Sequence, residues 1–208
     1  MYTLDTTEAR KADSTGTAIK EMGKYIGQFT QAEDVTASTG TKGVALTFES
    51  NGQKTRFTLY TTKANGEKIM GLQTLMAIMT CLHLRDLTPS KSNVKSYNME
   101  TRQEETKPGT VFPDICNKPI GVLLETEDYV NKKGEMRTRL VCMGAFQAAT
   151  ELTASEILDK KTTPEQLVKM VAYMRHRPMK NSPVTRTIAP AATAPVSGFD
   201  DMDDDIPF

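Results

Sequence analysis

The chain has 208 residues, room for one ordinary domain with appendages. Hydrophobic residues make up 38% and charged residues 25%, enough for a packed core and too polar for a membrane protein. Basic and acidic residues balance at 26 each, yet five acids (Asp200, Asp201, Asp203, Asp204 and Asp205) fall in the last nine residues, so the remainder carries an excess of five positive charges, which suits a polyanionic partner.

Residues 1–18 read as an N-terminal arm. Met1-Tyr2-Thr3-Leu4-Asp5 lacks the basic region and apolar run of a secretory signal. The longest apolar stretch, around Leu72 to Leu84, is interrupted by Gln73, Thr74, Thr80 and His83 and falls short of a membrane span. The expected location is the cytoplasm, with no membrane partner. Cys81, Cys116 and Cys142 are odd in number and widely spaced, which fits reduced thiols better than a disulfide framework. With only His83 and His176 available and no close cysteine pair, neither a metal site nor a cofactor is expected.

Residues 19–178 read as the folded domain. Lys24–Val35, Gly43–Glu49 and Lys54–Thr62 carry strand signals: Val44, Leu46 and Phe48 alternate with Ala45, Thr47 and Glu49, and Phe57 and Leu59 with Arg56, Thr58 and Tyr60. Asn51-Gly52 between the last two supplies the positive φ angles of a tight hairpin. The period then changes. Leu72, Leu75, Met76, Met79 and Leu82 recur at helical spacing, with Ile78 and Cys81 widening the stripe. From Asp86 to Pro119 the chain is polar and holds Pro89, Pro108, Pro113 and Pro119, which predicts a long irregular loop. A second hairpin follows, with Ile120–Tyr129 and Arg137–Cys142 joined through Asn131-Lys132-Lys133-Gly134. The order β-β-β-α-β-β predicts a mainly β protein, a five-stranded OB-fold barrel of the kind whose sheet face and hairpin loops bind oligonucleotides. Beyond it, Thr153-Ala154-Ser155-Glu156 is a capping box opening a short helix. A second helix near Thr163-Pro164-Glu165-Gln166 carries Leu167, Met170, Val171 and Met174 on one side. Residues 179–199, rich in Pro, Ala, Thr and Ser, read as a disordered linker leading to an acidic tip, residues 200–208.

The tip ends Asp203-Asp204-Asp205-Ile206-Pro207-Phe208. A terminal carboxylate with a phenyl ring suits a basic-rimmed apolar pocket, the aspartates pair with surrounding Lys or Arg, and Pro207 limits the entropy lost on docking. The tip resembles that of bacterial single-stranded-DNA-binding proteins, in which an aspartate-rich run ends in Asp-Ile-Pro-Phe. The resemblance implies recruitment of replication, recombination and repair proteins through Ile206, Pro207 and Phe208. The body is similar to the small single-stranded-DNA-binding proteins of tailed bacteriophages in Gly40-Thr41-Lys42-Gly43-Val44, the Gly71–Leu84 helix and Lys118-Pro119-Ile120-Gly121-Val122. Bacterial members stack bases on tryptophan and this chain has none, so their tetramer and DNA-wrapping mode do not carry over; a homo-oligomer, if formed, is expected to be a dimer rather than a tetramer.

A single strand needs cations for its phosphates and aromatic faces for its bases. The candidates are Arg56 and Tyr60 on the third strand, Lys42 and Lys63 flanking the first hairpin, Lys132 and Lys133 beside Tyr129 in the second hairpin, and Arg137 and Arg139 on its return strand. No catalytic constellation stands out: there is no Gly-x-Ser-x-Gly elbow, Ser38–Gly43 lacks phosphate-loop spacing, and Glu125, Glu127 and Asp128 have no second acidic cluster to complete a nuclease site. Two other readings share the same features: an adaptor that captures host proteins through the tip without binding DNA, and an RNA-binding OB module.

Overall fold

A computed structural model describes residues 18–98, 103–131 and 133–178. Residues 1–17 of the arm, residues 99–102, Lys132, the linker and the acidic tip lie outside these residues. Strands β1 (Gly23–Thr36), β2 (Lys42–Ser50) and β3 (Gln53–Thr62) precede helix α1 (Met70–Cys81); β4 (Ser90–Asn98), β5 (Gln103–Val111), a single 3-10 turn (Pro113–Ile115), β6 (Pro119–Val130) and β7 (Met136–Gln147) follow, then short helices α2 (Ala154–Leu158) and α3 (Gln166–Tyr173).

The first hairpin forms where its turn chemistry demands. Ser50 pairs with Gln53 across a two-residue turn in which Asn51 and Gly52 have φ of 50° and 74°. The alternation of β2 and β3 puts Val44, Leu46, Phe48, Phe57 and Leu59 into the core, where the Phe29 ring meets those of Phe48 and Phe57 edge-on at 5.6 and 6.3 Å. Leu75, Ile78, Met79 and Cys81 of α1 complete this core, and Ile120, Val122 and Leu124 of β6 close its other side.

One long strand holds the two halves together. Residues 28–36 of β1 pair with β2, and residues 23–28 pair with β6. Gln28 is the changeover, paired with both Glu49 and Pro119. The neighbouring Gly27 has to be glycine, since a Cβ there would lie 2.0 Å from the Glu49 carbonyl oxygen. A register shift between Phe29 and Gln31 bends the strand at this point. The result is a seven-stranded antiparallel sheet with β3-β2-β1-β5-β4 along one path and β6 and β7 joined to β1. Strands β3 and β7 come together beneath α1, but no ladder pairing joins them among the described residues, so the sheet is open at this seam.

Three expectations need correction. The polar segment from Asp86 to Pro119 is not irregular: it contains the antiparallel hairpin β4–β5, in register from Ser90↔Val111 to Asn98↔Gln103, and the strand count is seven rather than five. Pro108 is accommodated opposite Asn93 in a ladder that β1 joins only through Glu33↔Val111, so among the described residues most of β5's outer edge, where a proline costs no ladder bond, has no partner strand. Val171 does not join the buried side of α3. Leu167 is buried there, with Met170 and Met174 packed against the small cluster it forms with Leu123 and Phe146, whereas Val171 is exposed.

The residues after α3 return to the sheet. The Arg177 N–H donates to the Thr126 carbonyl at 2.7 Å and the Asp128 N–H to the Arg177 carbonyl at 3.0 Å, so this segment lies along β6 as a short parallel addition just beyond the stretch that β1 occupies. Arg177 also ion-pairs with the buried Glu125, whose other oxygen accepts the Arg175 N–H at 3.2 Å. On the other side of the segment His176 bridges Thr126 and Asp128 at 2.9 and 2.8 Å. The folded unit therefore extends to the last described residues. Among the described residues, no helix is long and apolar enough to cross a membrane.

Candidate nucleic-acid interface

The candidate residues fall into two sets, one on each hairpin. Strand alternation points Arg56, Thr58 and Tyr60 away from the core, alongside Thr47, Ala45 and Gly43 of β2 and Gln31, Glu33 and Val35 of β1. At the Gly43 end the face is open: Tyr60 is 40% exposed, its ring lies against Gly43, and Lys42 is exposed one residue earlier. Nothing larger than glycine fits at position 43, since a Cβ would come within 2.6 Å of the Leu59 carbonyl oxygen and 3.1 Å of Tyr60 Cδ1. An exposed aromatic face and an ammonium group unpaired among the described residues, at the same end of the hairpin, are what a stacked base and its phosphate require.

The Arg56 end is different. Its guanidinium forms an ion pair with Glu33 on β1, a carboxylate only 12% exposed. The charge expected to meet a phosphate already has a partner. The same holds for three more candidates. Lys63 bridges Glu67 at 3.0 Å, and the Glu67 carboxyl is held below its usual range by that contact. Arg137 bridges Glu135 at 2.8 Å, the hydrogen bond lowering the carboxyl's pKa and raising that of the guanidinium. Arg139 bridges Glu127 at 2.7 Å, directly across the β6–β7 ladder.

Arg139 also lies over the Tyr129 ring, 5.2 Å from its centroid, which occupies one aromatic face with a cation. Lys133 is exposed near the turn. No hydrogen bond, ion pair or ring contact among the described residues joins this set to Lys42, Arg56 and Tyr60, so the two sets are separate patches rather than one track. The three neighbouring acids of β6 are each tied down: Glu125 to Arg177, Glu127 to Arg139, and Asp128 to Thr138 and His176, contacts that hold the Asp128 carboxyl below its ordinary range.

Sequence reasoning missed two features. One is Glu33, whose pairing with Arg56 joins residues 23 positions apart and has no local signature. The other is the exposed Lys91 and Lys95 on β4, for which the alternation Lys91, Asn93, Lys95 around Val94 was a signal obscured by the surrounding prolines. No protein-family profile and no curated protein sequence matches this chain. What the fold defines is a class: a mainly β protein with an open antiparallel sheet, on which Tyr60 and Tyr129 mark two separate patches.

Proposed function

We propose that the chain binds single-stranded DNA without sequence preference and recruits replication, recombination or repair proteins through its acidic C-terminal tip. The observation that carries the DNA half is the exposed Tyr60 ring with the exposed Lys42 at the same end of the β2–β3 hairpin. The strand order supports the same reading: β1, β2, β3, β6 and β7, with α1 after β3, follow the order of a five-stranded OB-fold, and that fold is commonly a partly open barrel using its second and third strands for oligonucleotides. The tip half rests on the resemblance of residues 203–208 to bacterial tips.

Titration with a labelled homopolymeric oligonucleotide tests it. Affinity should fall as salt rises, by about 0.7 in log–log slope per phosphate contact, and duplex DNA should bind more weakly at equal salt. Tyr60→Ala should weaken binding by about 1–3 kcal/mol for every base composition alike. Glu33→Gln should strengthen binding at low salt, because it releases Arg56 from its carboxylate, and the gain should vanish in Arg56→Ala. Comparable affinity for duplex, or an unchanged curve for Tyr60→Ala, overturns the proposed face. The adaptor reading is favoured by one observation, the four candidate cations already neutralised by carboxylates. Absence of oligonucleotide binding at low salt would select it.

A further inference from the structure

We infer that the β4–β5 hairpin carries a second track for the single strand, one that grips phosphates and ignores bases. This rests on the DNA-binding reading above and adds to it a site on a different element. Strand alternation puts Lys91, Asn93 and Lys95 on one face of the hairpin, and the register sets Thr110, Pro108 and Thr106 directly across from them. That face therefore offers two ammonium groups, an amide and two hydroxyls, all of them able to donate to phosphate oxygens. Neither Lys91 nor Lys95 has a carboxylate within ion-pair distance among the described residues, in contrast to Arg56, Lys63, Arg137 and Arg139. Four residues along a strand separate the two lysines by about 13 Å, so they would reach different phosphates. A shallow concavity of about 650 Å³ opens over the hairpin, lined by Lys91, Ser92, Asn93, Pro108, Gly109 and Thr110.

The hairpin is seated firmly enough to hold that face outward. On its opposite side Val94 is fully buried and packs onto Gly109, where a Cβ would come within 2.6 Å of it. The side-chain amide of Gln31 on β1 donates to the Lys95 carbonyl at 3.1 Å and accepts the Lys95 N–H at 3.2 Å, copying the pairing of a neighbouring strand. At the hairpin's base the Phe112 N–H donates to the Ala32 carbonyl at 2.9 Å. Lys95 is thus fixed by its backbone to the strand that carries Glu33. The track consequently runs beside the β1–β2–β3 face instead of hanging free in solvent.

The test is the salt dependence of single-stranded homopolymer binding for the full chain and three double variants: K91A/K95A, K91R/K95R and the charge-matched K160A/K161A at the exposed end of α2. Losing two phosphate contacts should lower the log–log salt slope by about 1.4, so between 50 and 200 mM salt the wild type should lose about seven-fold more affinity than K91A/K95A. K91R/K95R should keep the wild-type slope, and K160A/K161A should keep it nearly so. All of these lysines are exposed, so thermal midpoints should stay at the wild-type value. If the wild type binds and K91A/K95A behaves like K160A/K161A, the hairpin track is overturned while DNA binding stands. If the wild type itself fails to bind at low salt, both fall.

Discussion

Replacing Glu156 with glutamine should destabilise the protein by about 3 kcal/mol, lowering the thermal midpoint by roughly 6–12 °C. Glu156 is 2% exposed, and its carboxylate accepts four hydrogen bonds: from the N–H and hydroxyl of Thr153 at 2.9 and 2.8 Å, and from the N–H groups of Glu165 and Gln166, both at 2.7 Å. It therefore caps α2 through the capping box and ties the start of α3 to it. Burial alone would raise its pKa, but these donors outweigh burial and bring it down from 4.5 to about 2. A glutamine has one carbonyl oxygen for four donors and turns its own N–H₂ toward two of them, leaving buried donors unsatisfied. Because the folded pKa is depressed, the carboxylate's contribution is complete above about pH 4.5 and is lost as pH falls toward about 2. The gap between wild type and Glu156→Gln should accordingly be full at pH 7 and narrow by pH 3. Thermal unfolding at both pH values checks this, and a gap that stays constant on acidification would show that the site is held by packing instead.

Deleting Phe208 should abolish capture of replication and repair proteins while leaving single-strand affinity nearly unchanged. In the proposed mode the ring fills an apolar pocket on the partner and the terminal carboxylate meets a basic rim, so removing one residue takes the anchor away and displaces the carboxylate while every aspartate remains. Deleting residues 200–208 should act differently. It removes five negative charges, so affinity for single strands should rise modestly at low salt and the difference should shrink as salt screens the attraction. Binding of purified helicase, primase or polymerase-accessory proteins to each form separates the two roles. Undiminished capture by the chain lacking Phe208 would leave the tip as a charged solubiliser only.

Where a few adjacent residues determine geometry, the sequence was sufficient. Asn51-Gly52 specified the first hairpin because its positive φ angles are a local steric matter, and the Leu72–Leu82 stripe specified α1 because 3.6-residue periodicity needs no distant partner, although Met76 of that stripe is exposed. The capping box at Thr153 and Glu156 was legible for the same reason, although its second function, holding Glu165 and Gln166, was not. Tyr60 and Arg56 could be placed on the exposed side from alternation alone. The tertiary structure decided the rest. The β4–β5 strands carry a proline and few apolar residues, so their pairing depends on Val94 against Gly109 and on the Gln31 amide bound to Lys95, contacts whose partners lie far apart or in another strand. Which cations are free to meet a phosphate was likewise a matter of which carboxylates folding brings within 4 Å. In the sequence Arg56 and Arg139 stand on strands as candidates while Lys91 and Lys95 fall in an expected loop; Glu33 and Glu127 occupy the first two, because an ion pair is fixed by distance in space, which a one-dimensional pattern of charges does not contain.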